Sequence, residues 1–463
     1  MKKVFNKIII VFSFVFVISN SKIMAMEIDS AYIVNHYSDV ADKIISLSEK
    51  DSSAWQKLAY FCDMFGSRLS GSTNLNKAID WMYEEFKKDG FQNVRKEEVM
   101  VPHWIQRNST LNMIFPYKYE IDVLALGGSI ATPENGITAP VLVVESFDDL
   151  ENHKNDAKGK IVVYNFPFES YGKTFQYRWS GADKASKYGA VASLIRSLTP
   201  DISTIPHTGV MGYTDSVPRI PVGAISPQYA ALLGRIQKNG ITPILEMNFD
   251  TERLPDTISY NLMGEITGSE YPNEIVALGG HTDSWDVGLG AHDDGGGCVA
   301  TWYALKMIKD LNLKPRRTMR VVQWVNEENG TRGGQAYAEK HKIEKHSLVF
   351  EFDSGVFPPN VIGFTGDDKM LAILKGMEPI LKKINPAMIV RKGGGGVDIG
   401  PMMKLGVPGM SLGTEDEGKY FWYHHSEADT PDKVNPDQLN QCIAAIAIAT
   451  YIYADLPDYF STK

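Results

Sequence analysis

The chain has 463 residues, of which 43% are hydrophobic, 22% charged and 11% aromatic, with 40 Gly and 23 Pro. Those values exclude collagen-like, coiled-coil and wholly disordered chains, and at roughly 150 residues per domain they leave room for two or three domains or one elaborated one. Lys and Arg total 47 against 56 Asp and Glu, a formal net charge of −9. The chain therefore lacks the basic footprint of a nucleic-acid binder, and no nucleic-acid partner is expected.

Lys2, Lys3 and Lys7 precede a mostly apolar run over 8–18, then Ser19, Asn20, Ser21 and the small residue Ala25. A basic start, a short apolar core and a polar exit predict a signal peptide over residues 1–25. The run is shorter than the ~20 apolar residues of a membrane span. No second long apolar stretch follows, so the mature chain is expected to be exported without a stable membrane span: extracellular, or periplasmic or lysosomal, depending on the organism. Cys62, Cys298 and Cys442 are too few, and odd in number, for a disulfide framework or a cysteine-based metal site. They read as buried small apolar side chains.

Residues 31–95 carry helical periodicity, with Trp81, Met82 and Phe86 on one core stripe. A strand is predicted over 98–101. Asn108-Ser109-Thr110 is a glycosylation sequon; a second, at Asn329, lies beside the candidate catalytic residues and reads as unused. Between about 120 and 250 the texture changes to short apolar strands over 140–144, 160–164 and 222–225, a helical stretch over 181–188, and turns marked by Pro206, Pro218, Pro221 and Pro227. This is a mixed α/β insert without clustered acidic or histidine residues, expected to shape access or meet a partner. From 255 onward strands over 275–278, 319–325, 348–352 and 409–412 alternate with helices, one over 296–310 and one from the N-cap Asn435 to about 454. The fold class expected is α/β: a mostly parallel central sheet flanked by helices and interrupted by the smaller α/β insert. The domain division is 26–118 and 253–463 for the main domain and 119–252 for the insert.

The polar clusters follow the strands directly. Gly280-His281-Thr282-Asp283 ends one, Asn326-Glu327-Glu328 another and Asp353 a third, while Asp293 and Asp294 precede a helix and His424-His425 lies in a late loop. Ligand sites of open α/β sheets lie at the carboxyl ends of strands, so these residues are expected to converge. Metal-bound histidines give their other N–H to a carboxylate or carbonyl, which makes Asp283 the orienting group for His281. Adjacent residues leaving a strand point to opposite sides, so one of Glu327 and Glu328 can bind a metal while the other faces its water. Taken singly these patterns are common on solvated surfaces: His292 and His424 also read as bystanders, and Asp286, Asp294 and Asp429 as residues that cap helices or make turns. Together, two histidines and three carboxylates suit a pair of divalent ions, zinc first.

The order His281-x-Asp283, Asp293-Asp294, Glu327-Glu328, Asp353, His425-x-x-x-Asp429 resembles the M28 family of co-catalytic zinc peptidases. The likeness extends to the stretches 65–71, 101–104, 280–290, 393–399 and 423–426 and covers nearly the whole mature chain. The insert is similar to a protease-associated domain, notably at 159–164 and 206–209. The resemblance implies the zinc-dependent exopeptidase fold and two Zn2+ per chain, one held by His281 and Asp353, the other by Glu328 and His425, with Asp293 bridging. It implies Glu327 as general base and acid, and Asp283 behind His281. Where many relatives have a Tyr before the last histidine ligand, this chain has His424, expected to stabilise the oxyanion, with Tyr423 one position earlier. Tyr423 and Asp398 are the substrate-contact candidates. Short peptides or dipeptides are the implied substrates, and a homodimer the implied assembly. Two rivals are a single-zinc glutaminyl-cyclase-like acyl transferase, which has no use for a bridging Asp293, and a non-catalytic receptor or scaffold, which typically has lost ligands.

Overall fold

The structure is a computed structural model and describes residues 28–457, so the predicted signal peptide lies outside the described residues. Among the described residues no helix is long and apolar enough to cross a membrane. Three helices open the chain, Ser30–Ser48, Ser53–Phe65 and Thr73–Lys88. The Asp29 and Ser72 side chains cap the first and third by accepting from Tyr32 N and Leu75 N. On the third, Leu75, Ala78, Ile79, Met82 and Phe86 bury one stripe against the core, as the 3.6-residue period requires.

At the centre of the main sheet lies Tyr271–His281, buried from Glu274 onward. It runs parallel to Arg317–Trp324 on one side and to Lys345–Glu351 on the other, and the latter is parallel to Gly409–Thr414. Such doubly covered strands read as continuous apolar runs, which is why they were legible. Beyond this parallel centre the sheet turns antiparallel, through Ile244–Ile266 on one flank and Pro359–Thr365 on the other. The helices Gly296–Asp310 and Pro436–Asp455 pack together within the largest core cluster. Asn435 caps the second, accepting from Asp437 N and Gln438 N. All three cysteines are free and buried.

Two strands escaped the sequence reading almost entirely. Gln92–Phe115 and Ile244–Ile266 form one long antiparallel ladder, registered from Gln92 opposite Glu265 to Phe115 opposite Ile244. They carry few apolar runs because one face is largely solvated and the alternation is broken by register shifts. The ladder runs from the main sheet into an inserted lobe, and position 252/253 lies within its second strand. In that lobe Ile137–Val144, Ile161–Tyr164, Ala192–Arg196 and Val222–Ile225 are parallel, closed by antiparallel Val123–Ala125. Pro227 is not in a turn but is the first residue of the helix Pro227–Lys238, where its fixed φ suits the first turn and Ser226 Oγ accepts from Tyr229 N. The helix expected from 181 begins ten residues earlier, as Tyr171–Lys187. Its first turns carry Tyr171, Phe175 and Trp179, which line a cavity; Tyr171 and Phe175 also pack against the lobe's core, so the apolar face is too wide to show a clean periodicity.

Beneath the main sheet, Tyr337 Oη accepts from Arg320 Nη1 (3.1 Å) and donates to His346 Nε2 (2.8 Å). Burial, helped by the Arg320 cation, pushes His346 down to about 4. The folded state thus binds this proton more weakly than the unfolded chain. The stabilisation is complete above the ordinary histidine pKa of ~6.5 and is lost as pH falls towards 4, by up to about 3 kcal/mol. Urea unfolding at pH 7, 6, 5 and 4.5 is expected to show this loss in the wild type and a flatter profile in His346→Gln.

Candidate active site

Each predicted cluster sits at the same rim of the main sheet. His281 is the last residue of its strand, Glu327 and Glu328 follow Arg317–Trp324, and Asp353 follows Lys345–Glu351. Asp293 lies in the short turn before Gly296–Asp310, and His425 in the loop after the single helical turn Tyr420–Tyr423. His281, Asp293, Glu328, His424 and His425 are buried, whereas Glu327 and Asp353 are partly exposed.

Asp293 joins two groups. Its Oδ1 is 3.3 Å from His281 Nε2, which is 3.7 Å from Asp353 Oδ1. Its Oδ2 is 3.3 Å from His425 Nε2, which is 3.0 Å from Glu328 Oε2. Two sets of potential ligand atoms, from His281, Asp293 and Asp353 and from Asp293, His424 and His425, each lie within 4.8 Å of one another. His424 is thus a geometric competitor of Glu328, with its Nε2 3.5 Å from Asp293 Oδ2 and its ring stacked on that of His425 at 3.5 Å.

The orphaned atoms show what the site accepts. His281 Nε2, Asp293 Oδ2, Glu328 Oε1 and Asp353 Oδ1 are buried without a hydrogen-bond partner. Buried polar atoms are normally satisfied, and unsatisfied ligand atoms in both of the groups that Asp293 joins fit bound cations. The electrostatics agree. Burial drives the Glu328 carboxyl well above the usual range, Asp293 adding to it; burial with the nearby Asp353 and Asp293 charges does the same to Glu327. Burial also raises Asp293, against the pull of His281. Positive charge placed among these carboxylates relieves their crowding. His424 and His425 are pushed well below the ordinary histidine value, first by burial, then by Arg178 and neighbouring imidazoles. Neutral imidazole is the form that binds metal.

The orienting contacts differ in detail from expectation. His281 Nδ1 donates to the Asp283 main-chain oxygen at 2.9 Å, while the Asp283 carboxylate is 3.8 Å away. That carboxylate accepts instead from Glu327 N (3.1 Å), Glu328 N (3.3 Å) and Ser70 Oγ (3.2 Å). Asp283 therefore grips the main chain of both glutamates. Asp294 takes His281 N on one oxygen and Gly297 N on the other, and Asp429 takes the amides of His292 and Asp293. His292 is stacked between Phe357 and Tyr423, and its Nδ1 accepts from Val356 N.

A cavity of about 570 Å³ opens over this rim. Asp293, Glu327, Glu328, Asp353, His424 and His425 form one wall, and Tyr171, Phe175, Arg178 and Trp179 of the inserted lobe face them. Neither substrate-contact candidate lines it. Tyr423 turns onto His292, with ring centroids 5.3 Å apart, and Tyr420 occupies the wall instead. Asp398 is buried beside the cavity-lining Val397, and neither of its carboxylate oxygens has a hydrogen-bond partner.

The profile of peptidase family M28 matches residues 261–450. Carboxypeptidase Q of Mus musculus is 44% identical over 430 residues, spanning 92% of this chain and 91% of the relative. This chain belongs to peptidase family M28. Carboxypeptidase Q of Homo sapiens is likewise 44% identical, over 91% of this chain and 90% of its own. The crystal structure of a peptidase M28 precursor from Shewanella amazonensis SB2B superposes with a TM-score of 0.87 at 34% identity, covering 91% of this chain and 97% of that one. A zinc aminopeptidase from Bacillus subtilis shares the fold, with a TM-score of 0.66 at 19% identity over 88% of this chain and 97% of its own.

This M28 peptidase also has site residues to which the sequence reading assigned no role. Arg68, in the stretch 65–71, is fully buried and donates to the carbonyls of Thr282, Leu289, Gly290 and Gly66 at 2.7–3.0 Å. It thereby ties together the chain on both sides of His281 and Asp293. Ser70 accepts from Asn326 Nδ2 while donating to Asp283. A lone arginine between Ser67 and Leu69 has no local signature of such a role; only the bonds reveal it. Arg68→Met leaves several buried carbonyls without donors, at about 1–3 kcal/mol each. Urea unfolding is expected to show a loss of at least about 4 kcal/mol, and Arg68→Lys, a single-point donor, a loss nearly as large.

Proposed function

We propose that this M28 peptidase is a secreted zinc exopeptidase that hydrolyses dipeptides or short peptides, with Glu327 as general base. The observation that carries the reading is Asp293 offering one carboxylate oxygen to each of two ligand groups, beside Glu327 in one cavity. In this reading His281 and Asp353 would hold one Zn2+ and Glu328 and His425 the other, with Asp293 offering an oxygen to each. The names of relatives, carboxypeptidase Q and a zinc aminopeptidase, support zinc and a peptide-end substrate.

Zinc, when bound, lowers the pKa of water and polarises the scissile carbonyl. The chain's own residues do the rest. Glu327, whose main-chain N–H is held by Asp283, takes the proton of the attacking water and hands it to the leaving amine. Glu327 lines the same cavity as Asp293, Glu328 and Asp353, where a carboxylate can accept and then release that proton. His424, in the cavity wall beside Asp293, donates to the oxygen on which charge develops.

Elemental analysis of the purified protein and a panel of free dipeptides, N-blocked dipeptides and longer peptides test this. Two zinc ions per chain, and cleavage of free dipeptides that a chelator abolishes, are expected. One ion or none, or cleavage indifferent to chelator, overturns the reading. Cleavage of N-blocked peptides assigns carboxypeptidase action, and dependence on a free amine assigns dipeptidase or aminopeptidase action. His424→Ala is expected to keep both ions and lose about 10²-fold or more in kcat; loss of one ion makes His424 a ligand instead.

A further inference from the structure

The loop that carries His424 and His425 is held from outside the main sheet. His425 has φ of 61°, a left-handed conformation that residues with a side chain rarely adopt and that surrounding contacts must enforce. The main-chain oxygens of both histidines are taken by one segment of the inserted lobe, more than 200 residues away in sequence. His207 Nδ1 donates to His424 O at 2.7 Å, and Thr208 N donates to His425 O at 2.9 Å. Thr208 O lies 3.3 Å from His425 Nδ1 and is the acceptor for that ring's proton when Nε2 binds a metal.

The segment is itself anchored. His207 N donates to Ser197 Oγ (2.8 Å), whose proton goes to Ile225 O (2.9 Å). Thr208 Oγ1 donates to Ala125 O (3.1 Å), and Arg178 Nη1 donates to Thr208 O (3.1 Å). His207, Thr208 and Arg178 are all at least 97% buried. A Cβ on Gly209 would lie 2.1 Å from Arg178 Nη1, so only glycine lets the arginine close behind the segment.

We propose that the inserted lobe is a working part of the metal centre: His207 and Thr208 brace the His424–His425 loop and set the affinity of the half-site that His425 completes. The brace rests on the two-zinc reading above. His207 is a positioning residue, acting on His425 through the loop, and does not touch substrate. Because the bonds cross from one lobe to the other, a displacement of the inserted lobe weakens one half-site and leaves the His281–Asp353 half-site, built on main-sheet strands, in place.

The test is zinc titration of the purified full chain against a chromophoric chelator. His207→Ala is expected to keep one ion at wild-type affinity and bind the second about 10- to 100-fold more weakly. Excess Zn2+ is expected to restore its kcat. His207→Asn, whose amide nitrogen replaces Nδ1–H, restores the second affinity to within a few-fold. Ser197→Ala, which frees the His207 main chain, shifts the same half-site less and serves if His207→Ala does not fold. Wild-type affinity for both ions in His207→Ala and Ser197→Ala, or equal weakening of both half-sites, overturns the brace. A wild-type protein that binds fewer than two ions overturns the two-zinc reading itself, and the brace with it.

Discussion

Glu327→Gln is expected to retain its zinc and lose about 10²- to 10⁴-fold in kcat, the range in which a positioned general base acts. The substitution preserves shape and the main-chain bond from Glu327 N to Asp283, so the site stays assembled. What disappears is the carboxylate that accepts the water's proton, because an amide oxygen is too weak a base. KM changes little, since Glu327 is not assigned to substrate binding; loss confined to kcat marks an interaction made in the transition state. Steady-state kinetics with parallel metal analysis check this. Near-wild-type turnover removes Glu327 from the role, and loss of an ion makes it a ligand.

Asp293→Ala is expected to abolish activity and reduce bound zinc to one weakly held ion or none. Asp293 reaches both groups, with Oδ1 toward His281 and Oδ2 toward His425. Its removal has opposite effects on the two forms of the protein. Without metal, the alanine deletes one of several carboxylates that repel one another in a buried place, and the chelator-treated variant is expected to melt no lower than the chelator-treated wild type. With metal, the wild type gains the stabilisation of ligand binding, about 4 kcal/mol when free zinc is a thousandfold above Kd, and the variant gains little. Melting curves with excess zinc and with chelator separate the two terms. A variant stabilised by zinc as strongly as the wild type contradicts the bridging role.

The sequence carried the chemistry at this site because it sits where local patterns stop. A buried parallel strand is an apolar run, and the first ionisable residue after it marks the carboxyl end. His281, Glu327, Glu328 and Asp353 could be placed on one rim for that reason. The helix Gly296–Asp310 and the N-cap Asn435 were legible on the same local grounds. The long ladder of Gln92–Phe115 and Ile244–Ile266 was not, since its half-solvated strands resemble loops when read alone.

By composition and order alone, the chain declared a modestly acidic, cysteine-poor α/β protein whose carboxylates and histidines gather at strand ends. Tertiary structure decided how they are aimed. It turned the Asp283 carboxylate to the main chain of Glu327 and Glu328, put Tyr420 rather than Tyr423 in the cavity wall, and brought His207 and Thr208 to the His425 loop. Those outcomes depend on hydrogen bonds between residues tens to hundreds apart and on a left-handed backbone at His425. Periodicity and propensity report only on a residue's near neighbours, whereas these bonds exist only once distant parts of the chain have packed together.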